Sequence, residues 1–317
     1  MTRKTVSILG AGKVGSTTAQ LLAYKGISDV VLYNRTADTA KGIALDLMES
    51  APIEAFDISV KGTGDYKDIR GSDVVVLTAG AQRKEGQTRD ELLENNAMIV
   101  KEMCDNVKRY APDSKMIVLT NPLDAMVYLA KKITGFPKER VVGMAGILDS
   151  SRFRSFIATE TGVGVESVSA LVLGGHGDFM VPLPRHASVA GVPLAEMLDR
   201  SSIDRLIQRT RDAGAEIIKL EKSSSFYAPA SSLVAMITAM LNDTKEVFPC
   251  AAYFSGEYKL SGIFMGVPVV LGSKGVERIV ELQLTKEERR MFDESANKVI
   301  ALSKQIDGWV TRNGRKK

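Results

Sequence analysis

Four stretches of the chain hold the residues able to do chemistry. GGHGD sets His176 between glycines, and it is one of only two histidines among 317 residues. An imidazole titrates near neutral pH and so suits proton transfer, although a lone histidine serves structure more often than catalysis. GILDSSRFR supplies Asp149 and Arg152, three residues apart and hence on one side of a helix start. AQRKEGQTRDEL places Arg83 and Arg89 around Gly86, in a loop directly after a strand pattern, and LTNPLD places Asn121 after the next one. The carboxyl ends of strands are where open α/β sheets bind ligands. Taken singly, these residues read as an exposed helix pair, a solvated loop and a turn. His186, in PLPRHASV, has nothing near it in sequence that supplies a partner.

ILGAGKVG puts Gly10, Gly12 and Gly15 in the spacing G-x-G-x-x-G, after a strand pattern and at a helix start. Gly10 permits a tight turn, Gly12 lets backbone approach a pyrophosphate, and Gly15 lets the helix pack on the sheet. The helix amino terminus then offers unpaired N–H groups and a positive dipole end to phosphate. About twenty residues on, a dinucleotide-binding unit normally ends its second strand in a carboxylate for the adenosine ribose. VVLYNRTAD has Asn34 there, followed by Arg35 and Thr36.

The elements that position these residues change character along the chain. KTVSILG, DVVLYN, DISVKG, DVVVLTAG, MIVLT and RVVGMAG read as strands, most of them apolar throughout, as strands covered on both faces should be. Amphipathic segments such as KVGSTTAQLLAYKG, TAKGIALDLMES and TRDELLENNAMIVKEMCDNVKRYAP lie between them. The alternation implies right-handed crossovers and a Rossmann-type doubly wound parallel sheet over residues 1–145. Residues 146–317 lose that rhythm. Long helical patterns from Ser201 to Lys222 and from Thr285 to Val310 alternate with short strands and glycine-rich turns, which predicts a second α+β domain. No low-complexity linker separates the halves, so a broad interface is expected.

Composition bounds the rest. Apolar content of 44% and charged content of 25% are those of a globular protein, and a net charge of +4, dispersed along the chain, argues against nucleic acid as partner. Cys104 and Cys250 have neither disulfide nor metal spacing, which suits a reducing compartment, and read as packing residues; no metal is expected. The start MTRKTVSILGAGKVG has a basic beginning but an apolar run that Lys13 interrupts, too short for an export signal, and SSSFYAPASSLVAMITAMLN, with Pro229, reads as a buried helix rather than a membrane span. The expectation is a cytoplasmic protein with no membrane partner.

From ILGAGKVG almost to the carboxyl end the chain resembles the lactate/malate dehydrogenase family, through NPLDAM, AGILDSSRFR, GGHGDFMVPLPR and YAPA. The resemblance is closest to the malate dehydrogenases of lactate dehydrogenase-like type. It implies His176 as proton donor and acceptor, Asp149 as its partner, Arg152 as clamp on the substrate carboxylate, Arg89 as loop arginine, Asn121 as substrate ligand and Arg83 at the selectivity position. The cofactor residues it implies are Gly10, Gly12, Lys13, Val14, Gly15, Asn34, Arg35, Thr36, Thr78, Ala79, Gly80, Leu119 and Asn121. Ser225, just before FYAPA, either lines the substrate pocket or simply begins a helix. A dimer or tetramer is also implied.

The chemistry suits these residue types. Oxidising a 2-hydroxy acid removes a hydroxyl proton as hydride leaves the same carbon, which calls for a base titrating near neutrality. Arg83 would be left facing a methyl group by lactate, whereas the second carboxylate of malate or oxaloacetate answers its charge. At the second strand, Asn34 cannot repel a 2′-phosphate and Arg35 attracts one. A charge pair at about 5 Å and an effective dielectric near 20 is worth about 3 kcal/mol, so NADP is expected over NAD. A lactate or other 2-hydroxy acid dehydrogenase, and a non-catalytic nucleotide-binding protein, are the alternatives.

Overall fold

The computed structural model describes residues 3–81 and 88–314. Its first half runs β1 (Thr5–Leu9), α1 (Lys13–Tyr24), β2 (Asp29–Tyr33), α2 (Ala37–Glu54), β3 (Val60–Thr63), β4 (Val74–Leu77), α3 (Arg89–Tyr110), β5 (Lys115–Val118), α4 (Leu123–Thr134) and β6 (Val141–Gly143). The second half runs α5 (Gly146–Thr161), β7 (Val168–Gly174), β8 (Met180–Val189), β9 (Val192–Pro193), α6 (Leu194–Met197), α7 (Arg200–Glu221), α8 (Tyr227–Asn242), β10 (Glu246–Ser255), β11 (Ser261–Gly272), β12 (Gly275–Ile279) and α9 (Lys286–Gly314).

The first six strands pair in parallel in the order β3-β2-β1-β4-β5-β6, the doubly wound arrangement expected from the alternation of elements. Successive side chains of a strand point to opposite faces. Val74 and Val76 of β4 therefore pack with Val6 and Ile8 on one face, and Val75 and Leu77 pack with Met116 and α3 on the other. Every residue of β4 is buried, which is why its sequence is apolar without alternation.

The second half departs from expectation in its strands. β10 and β11 form an antiparallel pair of ten and twelve residues rather than short pieces. Gly262 and Gly266 lie inside β11 instead of ending it. At Gly266 the neighbouring β7 crosses so closely that a Cβ would lie 2.6 Å from the Gly174 carbonyl oxygen, so glycine marks a strand crossing there. A single pairing of Gly143 in β6 with Ala251 in β10 joins the parallel strands to this antiparallel set, giving one twelve-stranded sheet.

Two helices also differ from their sequence patterns. α4 buries eight of its twelve residues, Asp124 and Thr134 among them, so its buried face takes in polar side chains as well as apolar ones. α2 continues past Ser50 through Pro52 to Glu54, so a proline, which has no N–H to donate to the preceding turn, stands in its last turn. The apolar stretch after Ser225 forms α8, with Leu233, Met236, Ile237 and Met240 in the core; among the described residues no helix is long and apolar enough to cross a membrane. Cys104 and Cys250 are buried and unpaired with each other, and burial raises both thiols well above their ordinary range.

Candidate active site

His176 lies in the turn after β7, where its imidazole meets the first turns of α5. Its Nδ1 is 2.9 Å from Asp149 Oδ2. A carboxylate can only accept, so Nδ1 carries the proton and Nε2 is the nitrogen left to exchange one. The other Asp149 oxygen accepts from Arg152 Nη1 at 3.4 Å. Asp149 is 2% exposed, Arg152 13% and His176 15%, so the trio is a buried cluster and not an exposed helix pair. Burial alone would lower the histidine pKa, but Asp149, and behind it the Asp124 carboxylate, outweigh that, and the imidazole is held above its usual range. Burial acts on Arg152 in the same sense, against Asp149, and lowers its pKa. The Arg152 Nε is buried with no hydrogen-bond partner among the described residues. A buried guanidinium donor of that kind has the geometry and charge to take a carboxylate oxygen.

The glycine turn sits at the end of β1. Gly10 takes φ +125°, and a Cβ there would lie 2.6 Å from the Ala79 amide nitrogen. A Cβ on Gly15 would lie 1.8 Å from the Gly10 carbonyl oxygen, so α1 can approach the strand only through glycine. Gly12 caps α1 and faces open space. The next strand end locks the turn: Thr78 Oγ1 donates to the Gly10 carbonyl at 2.9 Å, Ala79 N–H donates to Leu9, and Thr120 Oγ1 donates to the Ala79 carbonyl at 2.6 Å. Gly80 lets Thr120 come near, for a Cβ would lie 2.7 Å from its methyl. Leu119 N–H bonds to the Leu77 carbonyl, and Asn121 follows at the β5 end. Gly10, Gly12, Lys13, Val14, Gly15, Thr78, Ala79, Gly80, Leu119 and Asn121 thus lie along the adjoining ends of β1, β4 and β5. At the end of β2, Asn34 Nδ2 donates to the Thr36 carbonyl at 3.2 Å, while Arg35 and Thr36 are exposed.

Other predicted residues stand further from direct view. Arg83 lies outside the described residues. Arg89 is the first residue of α3, set there by a capping box between Thr88 and Glu91. Ser225 is half-buried in the segment joining α7 to α8. That segment reaches the glycine turn, because Lys13 Nζ donates to Ser223 Oγ at 2.9 Å and lies 5.0 Å from the Phe226 ring centroid. His186 Nε2 is buried without a partner among the described residues, and burial lowers its pKa.

Sequence reasoning passes over two residues that tie the site together. Asn96 of α3 accepts from Ala81 N–H at 2.7 Å and donates to the Asn121 carbonyl at 2.6 Å, clasping the ends of β4 and β5. Asp124 of α4 accepts from the His176 backbone N–H at 2.9 Å. Asp124 stands within the NPLD motif, yet no local spacing shows that it meets a residue in the other half of the chain. Among the described residues no group of three or more histidine, cysteine or acidic side chains is placed to hold a metal ion.

A dinucleotide-binding sheet whose strand ends face a carboxylate-held imidazole is the plan of a nicotinamide-dependent dehydrogenase. The model of the lactate/malate dehydrogenase NAD binding domain matches residues 4–143, and that of the family's alpha/beta C-terminal domain matches residues 147–308. The chain is 48% identical to the malate dehydrogenase of Desulforudis audaxviator over 308 residues, 97% of this chain and all of that one. Its fold is similar to that of the apo malate dehydrogenase of Picrophilus torridus, with TM-score 0.96, 42% identity and coverage of 98% and 100% of the two chains. It is similar also to a lactate dehydrogenase of Cryptosporidium parvum complexed with lactic acid and nicotinamide adenine dinucleotide, with TM-score 0.94, 42% identity and 97% and 99% coverage. The chain belongs to the lactate/malate dehydrogenase family.

Proposed function

We propose that the protein is a malate dehydrogenase that interconverts (S)-malate and oxaloacetate and prefers NADP(H). The observation carrying the reaction is the buried His176–Asp149–Arg152 cluster at the strand ends. Residues 1–145 hold the nucleotide and residues 146–317 supply the acid–base chemistry.

The glycine turn fits a dinucleotide: the space over Gly12 is free of protein atoms within 4 Å of a would-be Cβ, directly at the α1 amino terminus. Gly10, Gly12, Lys13, Val14 and Gly15 would hold the pyrophosphate, Asn34, Arg35 and Thr36 the adenosine ribose, and Thr78, Ala79, Gly80, Leu119 and Asn121 the nicotinamide half. When bound, the nicotinamide supplies or accepts the hydride. The protein manages the proton. His176 Nε2 takes the hydroxyl proton in oxidation and returns it in reduction, while Asp149 fixes the tautomer and stabilises the imidazolium. Arg152 grips the carboxylate at C1, and Asn121 orients the substrate. Arg89 and Arg83 are assigned the developing alkoxide and the C4 carboxylate. Ser225 joins the pocket wall.

NADP is favoured by charge. No carboxylate ends β2, Arg35 is exposed, and Thr36 caps α2 without a side-chain bond, which leaves first-turn N–H groups for an anion. Asp38 in that turn lies 3.9 Å from Lys41, which draws its charge aside. The likeness to malate and lactate dehydrogenases alike leaves substrate choice to Arg83. The protein is also read as a cytoplasmic homodimer or homotetramer, which sedimentation equilibrium would decide. Turnover of oxaloacetate with NADPH and with NADH, then of pyruvate with the better donor, tests the whole. NADPH and oxaloacetate should each win by about tenfold or more. A clear win for NADH removes the cofactor assignment, and one for pyruvate removes the substrate assignment.

A further inference from the structure

The buried cluster holds a second carboxylate to which the roles above give no task. Asp124 opens α4 from a buried position, and its Oδ2 accepts the His176 backbone N–H at 2.9 Å. Its Oδ1 is buried with no hydrogen-bond partner among the described residues. Gly175 allows this close approach, since a Cβ there would lie 3.2 Å from Oδ2 and 2.9 Å from a Val299 methyl. The ionisable groups acting on Asp124 are His176 itself and, from α5, Asp149, behind which Arg152 stands against Asp149 and His176. Asp178 follows in the same turn on the exposed side, and α9 presents Ser295 and Val299 to the turn, neither of them ionisable. With the imidazole neutral and both carboxyls ionised, the cluster would hold two carboxylates against one guanidinium, and protonation of Asp124 removes that imbalance.

We propose that Asp124 is a positioning residue of the proton-transfer centre: it anchors the His176 backbone, and its charge sets the pH at which the imidazole releases its proton. Burial carries the Asp124 carboxyl up to about 7, so it changes charge in the range where a histidine works. The two groups therefore titrate as a pair, each protonation weakening the tendency of the other to protonate. The kinetic consequence rests on the malate dehydrogenase reading; the titration does not.

The chain has only two histidines, so the imidazole Cε1–H signals of the full-length protein number two, and His186→Gln assigns them. In the parent, His176 should titrate in two steps. In Asp124→Asn, whose side-chain oxygen still accepts the N–H, it should titrate in one step displaced downward by about one pH unit. A single-step curve in the parent overturns the proposal even if the variant fails to fold, and so does a variant curve superimposable on the parent's. In kinetics, kcat for oxaloacetate reduction at about pH 8.5 should fall about tenfold, as one pH unit less imidazolium requires, with KM changed less than about twofold. Absence of turnover with any 2-oxo acid would remove the functional reading alone, because the resonance titration decides the role of Asp124 without substrate.

Discussion

Asp149→Asn isolates what a buried charge does for the imidazole. The carboxylate lies 2.9 Å from His176 Nδ1 and 3.4 Å from Arg152 Nη1 with almost no exposure, so solvent screens the pair little. Charge centres about 4 Å apart at an effective dielectric of about 20 interact by about 4 kcal/mol. Asparagine preserves volume but loses that attraction, and it can turn an amide N–H toward Nδ1 and favour the wrong tautomer. Reduction of oxaloacetate needs the imidazolium. In the parent, whose histidine pKa is raised, that activity is present below the raised value and lost as pH climbs through it. In the variant burial acts unopposed by Asp149, so the limb moves to lower pH. At about pH 8 the rate should fall by roughly 10²- to 10³-fold, and by less in acid. Initial rates of NADPH oxidation from about pH 5 to 9 measure it. A variant profile of the same shape as the parent's, merely scaled down, would refute the reasoning.

The remaining predictions concern the other parts of the site. His176→Asn should bind cofactor with unchanged affinity by fluorescence titration yet lose about 10²- to 10⁴-fold in kcat; undiminished turnover removes its acid–base role. Asn34→Asp with Arg35→Ala should move the NADPH-to-NADH ratio of kcat/KM toward NADH by about a hundredfold, and an unmoved ratio locates cofactor choice elsewhere. Gly15→Ala should raise the KM for cofactor and lower the melting temperature, since its Cβ falls 1.8 Å from the Gly10 carbonyl oxygen; unaltered cofactor KM and melting would show that the turn is not held by that contact. Malate oxidation, which needs the neutral imidazole, should rise with pH over the interval in which reduction falls. Parallel limbs in both directions would assign the titration to another group.

The doubly wound half was legible because each of its signals is local. Apolar strands, glycine spacing and amphipathic helices all declare themselves within a dozen residues, and their alternation implies a parallel doubly wound sheet, although the order β3-β2-β1-β4-β5-β6 comes from the structure. Asp149 and Arg152 were legible as a pair because they sit one helical turn apart. The length of β11 was not. Its glycines mimic turns, and only the crossing of Gly174 over Gly266 explains why they occur inside a strand. Asp124 and Asn96 were silent for a related reason. Each acts through a hydrogen bond to backbone brought near by the tertiary fold, and no periodicity records a backbone partner 52 residues away.

Those same close crossings place the chemistry. From the β5 end, where Asn121 and Asp124 stand, the sheet continues through β6 to β10 by the Gly143–Ala251 pairing, through β11, and across Gly266–Gly174 to β7. His176 lies two residues beyond Gly174, and its backbone N–H returns to Asp124. The path is closed: five strands and one hydrogen bond fix the distance between the nucleotide-binding sheet and the imidazole. A side chain at Gly143 or Gly266 would push the strands apart at a junction, since their Cβ positions lie 2.9 Å from the Ala251 Cβ and 2.6 Å from the Gly174 carbonyl oxygen. Gly266→Ala should therefore lower kcat for oxaloacetate while leaving NADPH affinity near the parent value, because the strain falls between β7 and β11 and spares β1. Loss of cofactor affinity equal to the loss of kcat would mean that the two halves deform together, and that the junction does not set the position of His176.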